Sequence, residues 1–226
     1  MQIPLPEALP VMELSGTVLL PNTVVPLYIF EKRYRRMLAD VLASHRMFAL
    51  ANSDAEATYP SKEDKTRLLR IATAGIVRMS ALNSDGTSTL MLLGAKRVAI
   101  EANLSSAPYP LARISEVPSQ GAIPTEAAEF LKRRLLRLLS KLEELSGLER
   151  NSMIEICQAA PDLETMVHLA MQCGCPSSFV NQRLLETRDL AARVDIALRY
   201  FERQISSIQL NSEASKPFGS SGTMEN

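Results

Sequence analysis

The sequence predicts an α+β protein, with an antiparallel, barrel-like sheet carrying one or two helices in the first half and a helical bundle in the second. Three observations predict it. Residues 9 to 118 fall into short apolar runs of strand length, punctuated by proline, glycine and asparagine, with one helical stretch among them. Residues 125 to 209 carry apolar side chains at helical spacing almost throughout. Between them lies Pro118-Ser119-Gln120-Gly121-Ala122-Ile123-Pro124, uncharged and rich in breakers. The expected organisation is a β-rich unit over 1–118, a linker at 119–124, a helical bundle over 125–209 and a disordered tail at 210–226.

Taken in order, Leu9 to Leu14 and Thr17 to Leu20 flank Ser15-Gly16, and Pro21 and Pro26 follow. Proline lacks the N–H that a helix interior or a central ladder needs, so these are short, irregular strands. From Glu31 to Ala43 the period changes. Tyr34, Met37, Leu38, Val41 and Leu42 share one face and most of the basic residues lie elsewhere, which predicts an amphipathic helix. Phe48 to Ala51 forms a buried strand, and the polar stretch Asn52 to Lys65, containing Pro60, forms a mobile loop. Asn83-Ser84-Asp85-Gly86 is a hairpin turn, since glycine accepts the positive φ that such turns demand. Strands follow at about 87–93, 96–103 and 110–117. Their close spacing without helices between them implies antiparallel pairing.

In the second half, Leu131, Leu135, Leu138, Leu142 and Leu145 step by four and three, and Gly147 stops the helix. Leu190, Val194, Ala197, Phe201, Ile205 and Ile208 make a second long stripe, with shorter helices between, ending near Pro161 and Gly174. From Asn211 onward the residues are too poor in apolar groups to order themselves.

Composition narrows the function. With 226 residues the chain can bury a core without staples. No apolar run approaches the roughly 18 residues of a membrane span, and the N-terminus lacks the features of a secretory signal. Cys157, Cys173 and Cys175 are an odd number confined to the helical half, a poor disulfide framework that suits a reducing compartment, so the expected location is the cytosol. Lys plus Arg and Asp plus Glu each total 25, leaving no net field to draw in polyanions. With no Trp and 5% aromatics there are few platforms for stacking bases.

The chemistry of an enzyme is missing from the motifs. No glycine precedes a lysine, which excludes a phosphate-cradling P-loop. His45 and His168 sit in no nucleophile or metal pattern, so neither a catalytic residue nor a cofactor is assigned. Cys173-Gly174-Cys175 beside His168 lacks zinc-knuckle spacing, and the plainer reading packs Cys173 in a helix and ends a turn at Cys175. His168 shares a helix face with Glu164, Thr165 and Gln172, which places it in solvent. Lys132, Arg133, Arg134, Arg137 and Lys141 form the solvated side of the leucine-striped helix, relieved by Glu129, Glu143 and Glu144, rather than a nucleic-acid patch.

The run from Leu9 to Pro21, LPVMELSGTVLLP, followed by Val25 to Tyr34, VPLYIFEKRY, resembles the opening of the Lon protease N-terminal domain family. Ala74-Gly75-Ile76-Val77-Arg78-Met79, Gly94-Ala95-Lys96-Arg97-Val98 and Pro108-Tyr109-Pro110 are similar to that family's later strands in order and spacing, and Phe179 to Glu186 with Arg193 is similar to its helical segment. The resemblance covers about residues 9 to 208. It departs at Pro21-Asn22, where many stand-alone relatives have Pro-Gly; Asn also tolerates left-handed backbone.

The resemblance implies a PUA-like β-barrel, a helical bundle, and recognition of protein substrates without the ATPase and Ser-Lys protease modules of Lon. The implied partners are unfolded or partly folded polypeptides, with a protease or chaperone as a further partner in a role as adaptor or regulator of proteolysis. Pro21, Pro26, Gly75 and Gly94 are read as fold determinants. The candidate peptide-binding residues are Leu19, Leu20, Val24, Tyr28 and Phe30, apolar side chains that a barrel cannot entirely bury, on a strand that prolines confine to an edge. PUA-like folds also occur in RNA-binding proteins, which is the alternative. Self-association through the leucine-rich helix 130–145, with Leu136 and Leu139 off its main stripe, stays open.

Overall fold

The computed structural model describes residues 4–53, 70–106, 108–147 and 151–214. The first half holds β1 (Ala8–Leu14), β2 (Val24–Ile29), α1 (Lys32–Leu42), β3 (Met47–Asn52), β4 (Arg70–Leu82), β5 (Ser88–Ser105) and β6 (Leu111–Glu116). Five helices follow: α2 (Thr125–Ser146), α3 (Asn151–Gln158), α4 (Leu163–Gly174), α5 (Ser178–Glu186) and α6 (Leu190–Ala214). The loop expected over 52–65 lies largely outside the described residues.

The strands lie in the order β2-β5-β4-β3-β1-β6, and a further β5–β6 pairing returns the sheet on itself as a ring of β5, β4, β3, β1 and β6. Pairing is antiparallel except between β1 and β3, which run parallel with Val11 opposite Ala49. The strands from β4 to β6 pair antiparallel as expected, and the β1–β3 pair is a parallel exception that the sequence did not show. Parallel neighbours need a crossover, and α1 lies in the connection that supplies it, burying Tyr34, Met37, Leu38 and Val41.

The two strands expected at 87–93 and 96–103 are one strand, β5, that changes partners midway. Residues 88–93 pair with β2 and residues 98–105 with β6. Gly94 sits at the change, where a Cβ would run into the backbone carbonyl of Leu20. A glycine inside a strand marks this kind of close backbone approach. The Asn83–Gly86 turn forms as expected, with Gly86 N–H donating to the Asn83 carbonyl and Gly86 at φ 77°. Asn22 adopts φ 63°, the left-handed backbone that its residue type tolerates.

One apolar cluster joins α1 to strands β2, β3 and β5 around Phe48, Leu50 and Leu92. Another gathers Leu9, Val11, Ala49, Ala74 and Val98. A third is helical and reaches across the halves, taking in Val18 and Leu20 with Leu139, Met171, Leu184 and Phe201. In α2 the buried residues are Leu135, Leu139 and Leu142, with Leu131, Leu136, Leu138 and Leu145 partly buried beside them. Leu139 is therefore the centre of the buried face rather than an outlier, because α2 packs against α3, α4 and α6 together. Gly147 closes α2 at φ 63°, while Asp162 and Ser177 cap α4 and α5. Helix α6 runs to Ala214, past the start expected for the tail, since extending a formed helix costs little once its first turns are packed.

Candidate functional site

Two surfaces result, one apolar and one polar. The apolar one begins with β2, the end strand of the sheet, which pairs only with β5 among the described residues. Leu27 and Ile29 point into the core and Val24, Pro26 and Tyr28 point outward, as strand alternation requires. Pro26 stands opposite Met91 of β5, and Met91 in turn stands opposite Met79 of β4. One row across three strands is thus Pro26, Met91 and Met79. The next row is Tyr28, Thr89 and Ala81. Tyr28 is 56% exposed, Phe30 61% and Met79 69%, and Val24 extends the patch at 44%. The Tyr28 and Phe30 rings stack with centroids 6.1 Å apart. Behind them a shallow cleft runs between Met12, Leu14, Phe30 and Tyr34.

Of the five residues singled out from the sequence, Val24, Tyr28 and Phe30 lie on this face. Leu19 and Leu20 do not, because both are buried. Thr73 Oγ1 of β4 holds the Leu19 carbonyl at 2.5 Å, and the Leu20 N–H donates to Gln172 Oε1 of α4 at 2.9 Å, so the segment is fastened between the barrel and the helical half. Sequence reasoning missed Met79 and Met91. A bulge between Val77 and Met79 shifts the register by one residue, so Met79 faces out although alternation from buried Val77 would send it inward. Met91, half-buried between buried Leu90 and Leu92, was legible from alternation along the strand.

The polar surface is a seam between barrel and helices. Thr165, His168 and Gln172 occupy one face of α4. They meet the 18–22 segment through Asn22 Nδ2 to Thr165 Oγ1 at 3.1 Å, His168 Nδ1 against the Pro21 carbonyl at 3.0 Å, and Gln172 Nε2 to the Val18 carbonyl at 3.1 Å. His168 is fully buried, which corrects the solvated placement expected for it. The polar face of α4 is turned to backbone groups of the barrel rather than to water. Burial, with Arg193 next in effect, lowers the His168 pKa to about 4, so the ring is neutral at pH 7. Arg193, also fully buried, donates to Glu164 Oε1 at 2.7 Å and to Ser119 Oγ at 2.7 Å. Hydrogen bonds from Ser119 and Arg193 hold the Glu164 carboxyl below its ordinary range despite burial.

The remaining candidates fall away from both surfaces. His45 Nδ1 accepts the Met47 N–H within a turn. Burial raises the thiol pKa at all three cysteines, that of Cys157 to about 12. Among the described residues no group of three His, Cys, Asp or Glu is arranged to hold a metal ion. On α2, Lys132 pairs with Glu129 and Arg134 with Glu202. No helix of the described residues is long and apolar enough to cross a membrane.

Comparison with known proteins agrees with this architecture. The N-terminal domain of a Mycobacterium avium complex Lon protease superposes with a TM-score of 0.65 at 19% identity, over 86% of this chain and 98% of that one. A Lon N-terminal domain protein from Xanthomonas campestris gives 0.52 at 18% identity, over 85% and 98%. These likenesses show a shared fold. Lon protease of Chloroherpeton thalassium is 24% identical over 209 residues, covering 91% of this chain and 24% of that protein, and Lon protease of Dictyoglomus thermophilum is 24% identical over 216 residues, covering 91% and 26%. The chain spans about a quarter of the length of these relatives. The model of the ATP-dependent protease La (LON) substrate-binding domain matches residues 8–203, and the chain belongs to that family.

Proposed function

We propose that the chain is a non-enzymatic recognition module for unfolded or partly folded polypeptide, and that the outward face of β2, β5 and β4 is where it binds. The observation that carries this reading is the continuous apolar face formed by Val24, Pro26, Tyr28, Met79 and Met91, extended by Phe30. Exposed apolar area gathered on one face marks an interaction site rather than ordinary surface. Its composition suits a varied clientele, since methionine adapts to irregular partners and aromatic rings supply large contact area at small entropic cost. The free edge of β2 adds a means of capturing extended chain by strand addition, although Pro26 removes one donor from that strand. Membership of a substrate-binding family supports polypeptide as the ligand class.

In this reading the protein acts in the cytoplasm as an adaptor or regulator of proteolysis, delivering bound polypeptide to a protease or chaperone while performing neither ATP hydrolysis nor cleavage itself. The comparisons lend no support to the RNA-binding alternative. The test is a titration of the purified chain with a fluorescently labelled, reduced and carboxymethylated lactalbumin, which stays unfolded, against its native form. Saturable binding of the unfolded form, weakened by Tyr28→Ser and Met79→Ser, is expected. Equal affinity for both forms, or affinity unchanged in the double variant, overturns the reading.

A further inference from the structure

The polar seam carries more positive charge than it neutralises. Burial above all, and then the nearby Arg193 and Arg188, lower the pKa of Arg97 to about 10. Among the described residues Glu164 is the carboxylate that acts favourably on Arg97, and it already receives Arg193 Nη1 and Ser119 Oγ. Arg97 is only 4% exposed. Its Nη1 reaches Ser119 Oγ at 3.5 Å, a marginal hydrogen bond, and its Nε and Nη2 have no partner among the described residues. A buried guanidinium without a carboxylate of its own is strongly unfavourable unless something else compensates it. Beside Arg97 the seam opens into a crevice of about 250 Å³. Its walls include Asn22, Lys96, Arg97 and Ser119, together with Glu116 and Glu164, and Glu116 is occupied by Lys96.

We propose that this crevice is a binding site for a small oxyanion, a phosphate or a carboxylate, held between Arg97 and Lys96. The Lys96 ammonium has three hydrogens and gives one to Glu116, so it keeps donors for a ligand. Arg97 lines the crevice, but its Nε and Nη2 are out of reach of solvent, so binding in this proposal requires the guanidinium to turn toward the crevice. It then exchanges a marginal contact with Ser119 for charge-assisted hydrogen bonds, which are the stronger kind. Glu116 and Glu164 oppose the ligand, but each is already paired with a cation. The bound anion touches β5 on the barrel side and the Ser119 approach to the helices on the other, so occupancy reinforces the docking of the two halves.

The experiment is a titration of the intact chain with inorganic phosphate, with sodium acetate, and with sodium chloride at matched ionic strength, following thermal unfolding and the Arg Nε–Hε signals by NMR. A saturable rise in Tm with phosphate or acetate but not with chloride, accompanied by movement of the Arg97 signal, supports the site. Whichever of the two saturates identifies the anion as tetrahedral or planar. Arg97→Gln should weaken the apparent affinity by roughly tenfold or more, as loss of a charge-assisted hydrogen bond implies. Arg134→Gln, far along α2 and paired with Glu202, should leave it unchanged. A Tm rise matched by chloride, or an undiminished response in Arg97→Gln, overturns the proposal. If Arg97→Gln fails to fold, an Arg97 signal in the unsubstituted protein that ignores both oxyanions overturns it as well.

Discussion

Arg193 Nη1 donates to His168 Nε2 across 3.0 Å, and this contact dictates which hydrogen the imidazole keeps. The opposite ring nitrogen, Nδ1, faces the Pro21 carbonyl at 3.0 Å, and a carbonyl can only accept. His168 is therefore the neutral Nδ1–H tautomer, clamped between a barrel loop and a helix, and a second proton would set an imidazolium against a guanidinium.

That clamp predicts an acid-labile interface. His168 has its pKa lowered from 6.5 to about 4, by burial first and then by Arg193, with Glu164 opposing and Arg97 adding to the depression. A group depressed in the folded state binds fewer protons there than in the unfolded chain between those two values. Its contribution to stability is thus complete above pH 6.5 and is lost as pH falls toward 4. Thermal unfolding from pH 8 to pH 4 should show a steeper fall in Tm for the unsubstituted protein than for His168→Asn. Parallel curves would refute the linkage.

Arg193→Leu should destabilise by about 3–5 kcal/mol, because Glu164 and Ser119 lose a donor and His168 Nε2 is left buried without one. Arg193→Lys should recover only part of this, since an ammonium cannot reproduce the fork that reaches Glu164 and Ser119 together. Urea unfolding measures both. A loss for Arg193→Leu within about 0.5 kcal/mol, typical of surface substitutions, would contradict a structural role for the seam.

Gly94→Ala should cost about 1–3 kcal/mol, the range for forcing atoms into a packed site. Its Cβ would meet the Leu20 carbonyl, and the Gly94 N–H and carbonyl are both engaged, with Thr23 and Asn22. The same urea series reports it, and an unchanged midpoint would show that the 18–23 segment yields easily.

Burial divides the apolar residues of the 19–30 region into two behaviours. Leu20→Ala should lose about 2–5 kcal/mol of stability by leaving a cavity. Tyr28→Ser should change stability by no more than about 0.5 kcal/mol while weakening capture of unfolded polypeptide. A Tyr28 variant that unfolds like Leu20→Ala would show Tyr28 to be part of the core.

Mild treatment with hydrogen peroxide should convert Met79 to its sulfoxide ahead of buried methionines such as Met12 and Met37. Polypeptide binding should fall with the extent of Met79 oxidation, followed by mass spectrometry, and return after methionine sulfoxide reductase. Binding that persists on fully oxidised Met79 would remove this residue from the interface.

Much of the fold was legible because local chemistry spoke for it: the helix spacing of Tyr34, Met37, Leu38 and Val41, the Asn83–Gly86 turn, the stop at Gly147. The candidate face was legible in part. Tyr28 and Phe30 stood out as apolar residues on a strand that prolines confine to an edge, but Leu20 was grouped with them although the helical half that covers it lies some 150 residues away in sequence, and Leu19 although it packs into the barrel core. Nothing local marked the bulge that turns Met79 outward.

By itself the amino-acid order determined most of the strand and helix segments, several of their stops, and the family resemblance, since propensity, periodicity and turn chemistry act over a few residues; it split β5 in two, read 17–20 as strand and ended α6 early. Only the tertiary structure decided that β1 and β3 run parallel, that the polar face of α4 seals against a barrel loop, and that Arg97 is left short of a counter-charge. Those outcomes depend on which distant groups meet, and a buried polar group is satisfied or stranded by its partner rather than by its neighbours in the chain.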